Sequence, residues 1–131
     1  MPTLTLMRLA AAVLTALAPA AWAAESVPGE LVHAVSQIHS AAVHRKYETL
    51  REAMDTAFVW SFGGDADREQ ALSEWRKEAR YLRSLARVTR SACGWVGGGV
   101  YQCPAKAGVG SRACFRQVNG PWKMVYFVAG D

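Results

Sequence analysis

No histidine follows His44, no serine sits in a G-x-S-x-G elbow, and no C-x-x-C pair occurs in the chain. The first two absences leave Ser61, Ser84, Ser91 and Ser111 without the base and the strained turn that a serine nucleophile needs. The third, with no histidine at ligand spacing from Cys93, Cys103 or Cys114, removes the donor pattern of a structural zinc site. Neither Gly63-Gly-Asp65 nor Gly97-Gly-Gly99 is followed by Lys-Ser or Lys-Thr, which excludes a phosphate loop and leaves turn chemistry. Long apolar runs are also scarce. Beyond the first 23 residues none approaches the length that crosses a bilayer, so no membrane span is expected. Carboxylates run out as well, none falling between Glu78 and Asp131.

What is present begins with an address. Arg8 is the only charge before Glu25, an apolar run extends from Leu9 to Ala21, and Ala21-Trp-Ala23 places small residues where a signal peptidase must fit them. Residues 1–23 are therefore expected to form a secretory signal peptide, and residues 24–131 a single mature domain. The leader has no cysteine, so diacylglycerol attachment is excluded and a soluble periplasmic or secreted product is expected. Removing 23 of the 131 residues leaves 108, enough for one small domain. An apolar share of 51% with 20% charged residues is a globular composition. The net charge of +4 falls to +3 when Arg8 leaves with the leader. That balance suits an anionic partner and falls far short of a nucleic-acid signature.

Export favours pairing of two of the three cysteines. Cys93–Cys103 is the preferred pair, tying the end of a helix to the first strand of a sheet and contributing about 2–3 kcal/mol. Cys103–Cys114 is the rival, a link across neighbouring strands that usually strains disulfide geometry. Cys114, inside Ala113-Cys-Phe115, reads as a small buried hydrophobe. A reactive thiol there would need Arg112 and Arg116, on the same strand face, to lower its pKa.

Pro28 suits a first helical turn, and helical spacing runs from Glu30 to about Asp55, either as one curved helix or as two joined ones. Ala57 to Phe62 reads as a short strand, and Asp65 or Asp67 as the cap of a second helix. That helix, roughly 67–89, carries a core stripe of Leu72, Trp75, Ala79, Leu82 and Ala86. Val100 to Cys103, Arg112 to Val118 and Trp122 to Val128 read as three antiparallel strands. Asn119-Gly120 marks a hairpin, and Pro121, which lacks the N–H that a two-residue turn would use, leaves room for a wider loop. The last strand is apolar on both faces and is expected to be central and covered on both sides.

The second helix also carries Arg76, Arg80, Arg83, Arg87 and Arg90 one residue out of phase with its core stripe. Glu74 and Glu78 soften the first turns, whereas Arg80, Arg83, Arg87 and Arg90 have no neutralising acid before Asp131. A line of guanidiniums at helical spacing suits phosphates or carboxylates presented by a partner, such as lipopolysaccharide, phospholipid headgroups or an acidic protein surface. His33 and His44 share a helix face about 16 Å apart and His39 points elsewhere, so one metal ion cannot bridge them. Aromatic residues, among them Trp60, Phe62, Trp95, Tyr101, Trp122 and Tyr126, occupy core-type positions and leave room for an apolar pocket.

The tract Phe58-Val-Trp-Ser-Phe-Gly-Gly-Asp65 followed by Ala71-Leu-Ser-Glu-Trp75 resembles the first strand and following helix of the NTF2-like (SnoaL-like, cystatin-type) superfamily. With Cys93, Tyr101-Gln-Cys-Pro104 and Tyr126-Phe-Val-Ala-Gly-Asp131 it is also similar to small uncharacterised exported bacterial proteins. The resemblance implies an α+β fold with N-terminal helices packed on a curved antiparallel sheet. The superfamily holds isomerases, cyclases and pure binding modules, so fold alone decides little. Its enzymes usually place an Asp or His inside the cone. Asp55 is the only equivalent here and also suits a helix end, so no catalytic residue is carried over and no cofactor is expected. The leading expectation is an exported, non-catalytic binding or inhibitory module of the bacterial envelope, meeting an anionic component through Arg80, Arg83, Arg87 and Arg90. The alternatives are a small apolar-ligand carrier or NTF2-like enzyme with an aromatic pocket, and an immunity protein against a secreted hydrolase.

Overall fold

Pro28, in an extended conformation with φ −57° and ψ 142°, starts helix α1 (Gly29–His44), whose first turn carries Glu30 beside the unsatisfied N–H groups. The structure is a computed structural model that describes residues 26–61 and 66–128, together with Ala12. The rest of the expected signal peptide, and Phe62 to Asp65, lie outside the described residues. Leu31, Ile38 and Ala42 of α1 are buried as their spacing predicts. Arg45 then takes a left-handed conformation, φ 54° and ψ 43°, and ends the helix. Helix α2 (Tyr47–Ala53) resumes at once and runs directly into strand β1 (Met54–Val59). The first helical segment is thus two helices, and Asp55 is a strand residue rather than a helix terminus.

Asp67 caps helix α3 (Arg68–Lys77), its carboxylate accepting from the backbone N–H groups of Glu69 and Gln70 at 2.8 and 3.3 Å. The single helix expected over 67–89 is broken. Glu78 is extended, with φ −130° and ψ 101°, and helix α4 (Ala79–Thr89) starts anew beyond it. The break resets the helical phase. The buried face of α4 is Leu82, Leu85, Val88 and Thr89, while Ala79 and Ala86, expected in the core, are only half-buried.

Five strands form one mixed sheet in the order β1-β5-β4-β3-β2, with β2 (Gly94–Gly97), β3 (Val100–Cys103), β4 (Arg112–Gln117) and β5 (Trp122–Val128). The architecture is α+β as expected, but the sheet is not wholly antiparallel, because β1 lies parallel to β5. Parallel partners cannot be joined by a tight turn, and here the intervening chain holds α3, α4 and three strands. Strand β2 was not expected. Glycine bounds it on both sides, and its hairpin to β3 turns through Gly97, Gly98 and Gly99, all at positive φ.

Between β4 and β5 the Asn119-Gly120 signal holds, with φ 54° and 111°. The loop is tight rather than wide. The Val118 N–H donates to the Pro121 carbonyl at 2.8 Å, so proline forfeits only the reciprocal bond. Strand β5 is interior to the sheet as expected, but the helices cover one of its faces only. Phe58, Leu72, Trp75, Phe115 and Met124 meet the helices in the main core, whereas Val100, Cys114 and Val125 form a small cluster on the opposite face. Trp75 meets Phe58 and Phe127 edge-on, at ring-centroid distances of 5.6 and 5.8 Å.

Candidate functional site

Cys93 and Cys103 are joined as a disulfide across ten residues of chain. Pairing of Gly94 with Gln102 puts these cysteines at the next register position of the β2–β3 hairpin. The bond therefore closes a hairpin, with β2 between the helix and the strand that it links. The Cys103–Cys114 alternative is excluded by the pleat. Cys103 opposes Ala113 and faces the helices, whereas Cys114 opposes Gln102 and faces away. Burial pushes the Cys114 thiol up to about 11, outweighing the nearby Arg112 and Arg116. Burial therefore opposes the thiolate form that a nucleophile needs.

The arginines do not form one line. Arg76, on α3, stacks over the Tyr47 ring at 4.7 Å and is cut off from the others by the break at Glu78. Arg80 is engaged at its own end of α4: Nε lies 2.6 Å from Glu78 Oε2, Nη2 donates to Tyr81 Oη at 3.2 Å, and the guanidinium covers the Tyr81 ring. The hydroxyl of Tyr81 and the Glu78 carboxylate hold its pKa above the ordinary value. Arg83, Arg87 and Arg90 differ. All three are exposed and none forms an ion pair among the described residues. Arg87 donates to Ser84 Oγ at 3.3 Å.

These three line a groove of about 460 Å³ between α1 and α4, and Arg45 closes its far end. Ala42, Ala79, Leu82 and Ala86 give the groove an apolar floor, and among the described residues no carboxylate lines it. The break at Glu78 explains the floor, since it turns Ala79 and Ala86 out of the core and toward α1. His39 holds the two walls together. Its Nδ1 lies 2.9 Å from the Ala86 carbonyl oxygen and 3.0 Å from Thr89 Oγ1. Thr89 spends its own proton on the Leu85 carbonyl, 2.8 Å away, so Nδ1 is assigned as the donor and Nε2 is the free nitrogen. His39 is thus a helix–helix tie on the groove wall. Among the described residues no group of three His, Cys, Asp or Glu side chains is placed to hold a metal ion.

Of the four arginines expected to act together, the structure assembles Arg83, Arg87 and Arg90 and sets Arg80 aside. Arg45 joins them from another helix. No periodicity could have found it, because it sits just past the end of α1 in a left-handed turn that usually takes glycine or asparagine. The aromatic residues divide too. Trp75, Phe115 and Phe127 are core, whereas Trp95, Tyr101 and Trp122 are half-buried and share a shelf along an open concavity of about 1000 Å³. Trp95 contacts the Tyr101 and Trp122 rings at 5.2 and 5.8 Å. Among the described residues no helix is long and apolar enough to cross a membrane. No protein-family model matches the chain, and no curated protein or solved structure is significantly similar to it.

Proposed function

We propose that this chain is an exported, non-catalytic binding or inhibitory module of the bacterial envelope that engages an anionic partner in the α1–α4 groove. One observation carries the reading. Arg83, Arg87, Arg90 and Arg45 surround an apolar-floored groove that, among the described residues, no carboxylate lines. Unpaired guanidiniums at helical spacing offer forked donors to phosphate or carboxylate oxygens. Export is supported by the leader pattern and by the Cys93–Cys103 disulfide, a bond that persists in oxidising compartments. A distant NTF2-like relationship is part of this reading and rests on the sequence resemblance of the Phe58-to-Asp65 tract and Ala71-Leu-Ser-Glu-Trp75. The interior supports binding on the surface rather than in a cone, since Phe58, Trp75 and Phe115 fill the space between helices and sheet.

Calorimetric titration with pyrophosphate tests this reading. The protein should bind it with an affinity that falls as salt rises, and R83E/R87E should lose at least tenfold. Equal binding by the wild-type and doubly substituted proteins, or none by either, would overturn it.

A further inference from the structure

We infer that the ligand of the groove is a single-chain anionic amphiphile, a phosphate or carboxylate head carrying one apolar tail; this rests on the anion-binding reading above. The groove does not end at its arginines. His39 and Arg90 also line a second concavity of about 270 Å³, whose other walls include Val32, Val35, Cys93 and Tyr101. Helices α1 and α4 run in opposite senses along the two concavities, which have His39 and Arg90 as a common wall. Arg45 and Ala79 stand at one end, Val32 and Cys93 at the other. From Val43 to Val32 the two concavities together span about 16 Å of helix axis.

The guanidiniums belong to the first concavity and the shared wall, and the far end, around Val32 and Cys93, carries none. Arg45 and Arg83 lie toward one end, Arg87 and Arg90 toward the shared wall, and the far concavity is lined by Val32, Val35, Tyr101 and the Cys93 disulfide with Ser36 and Thr89 beside them. Val32 is 55% exposed and Val43 52%, large apolar side chains that are uncovered at the two ends of this span. A bare anion would leave both the apolar floor and the valine trough wet. An uncharged lipid would leave the guanidiniums without a counter-charge. An amphiphile lying with its head among Arg83, Arg87 and Arg45 and its tail toward Val32 satisfies both. Concavities of this size suit a small molecule.

The test is calorimetry of the purified protein with monomeric dodecyl phosphate, inorganic phosphate and phosphatidylglycerol vesicles. Dodecyl phosphate should bind at least tenfold more tightly than inorganic phosphate. V32D should remove that gain while leaving pyrophosphate binding intact, and R83E/R87E should weaken both. Circular dichroism confirms that each variant is folded, and both sets of substitutions lie at exposed positions. Equal affinity for dodecyl and inorganic phosphate would overturn the amphiphile while leaving the anion site standing. Binding to vesicles without binding to monomeric dodecyl phosphate would overturn it in favour of a membrane surface. Failure of pyrophosphate and dodecyl phosphate alike would remove both readings.

Discussion

The ring nitrogen Nδ1 of His39 lies 2.9 Å from the carbonyl oxygen of Ala86, joining α1 to α4 across 47 residues of chain. This contact fixes the spacing of the groove walls, since Ala86 sits between Arg83 and Arg87 on the α4 wall. Replacing His39 by alanine removes the donor that the Ala86 carbonyl and the buried Thr89 hydroxyl share, although that hydroxyl keeps its own bond to the Leu85 carbonyl. A loss of about 1–2 kcal/mol is expected, read as a lower urea midpoint with an unchanged slope. Anion affinity should fall as well, although no anion-binding arginine has been altered.

Arg45 is held at φ 54°, where an L side chain is strained. Arg45→Gly should therefore stabilise the fold by about 0.5–1 kcal/mol while weakening pyrophosphate binding. Thermal unfolding and calorimetry on the same variant separate the two effects. A variant that is more stable yet binds equally well would remove Arg45 from the site.

The Cys93–Cys103 link closes a short loop at the base of the β2–β3 hairpin. Removing it with C93A/C103A should cost about 2–3 kcal/mol, measured by denaturant unfolding against the oxidised protein. The variant should also lose affinity for dodecyl phosphate, because Cys93 walls the apolar trough.

Cys114 should resist iodoacetamide at pH 8 in the folded state and react once unfolded. Its folded-state pKa is raised to about 11 from 9.0. The folded protein therefore holds this proton more tightly than the unfolded chain. The contribution is fully present below pH 9 and is lost as pH rises through about 11. Stability measured from pH 8 to 11 should fall more steeply for the wild type than for C114A.

Much of this fold is written locally. The Asp67 cap, the apolar faces of α1 and α3, the Asn119-Gly120 turn and the preference for Cys93–Cys103 all follow from side-chain chemistry within a few residues. The two helix breaks do not. Lys77, Glu78 and Ala79 are all good helix formers, and the extended Glu78 is imposed by packing that brings Leu82, Leu85 and Val88 onto the core. The parallel β1–β5 pairing is equally silent, because Met54 and Met124 pair with no turn between them to announce it. The site inherits both limits. Arg83, Arg87 and Arg90 were visible as a periodic flank. The diversion of Arg80 to Glu78 and Tyr81 depends on the break, and the arrival of Arg45 depends on the packing of α1 against α4.

Backbone amide NMR during a pyrophosphate titration tests the central claim most directly, that the α1–α4 groove is the anion site. Shifts should concentrate at His39, Arg45, Arg83, Arg87 and Arg90, leave the Trp95–Trp122 shelf unmoved, and disappear in R83E/R87E. Shifts that instead map to Trp95, Arg116 and Trp122, or that persist in the double variant, would contradict it.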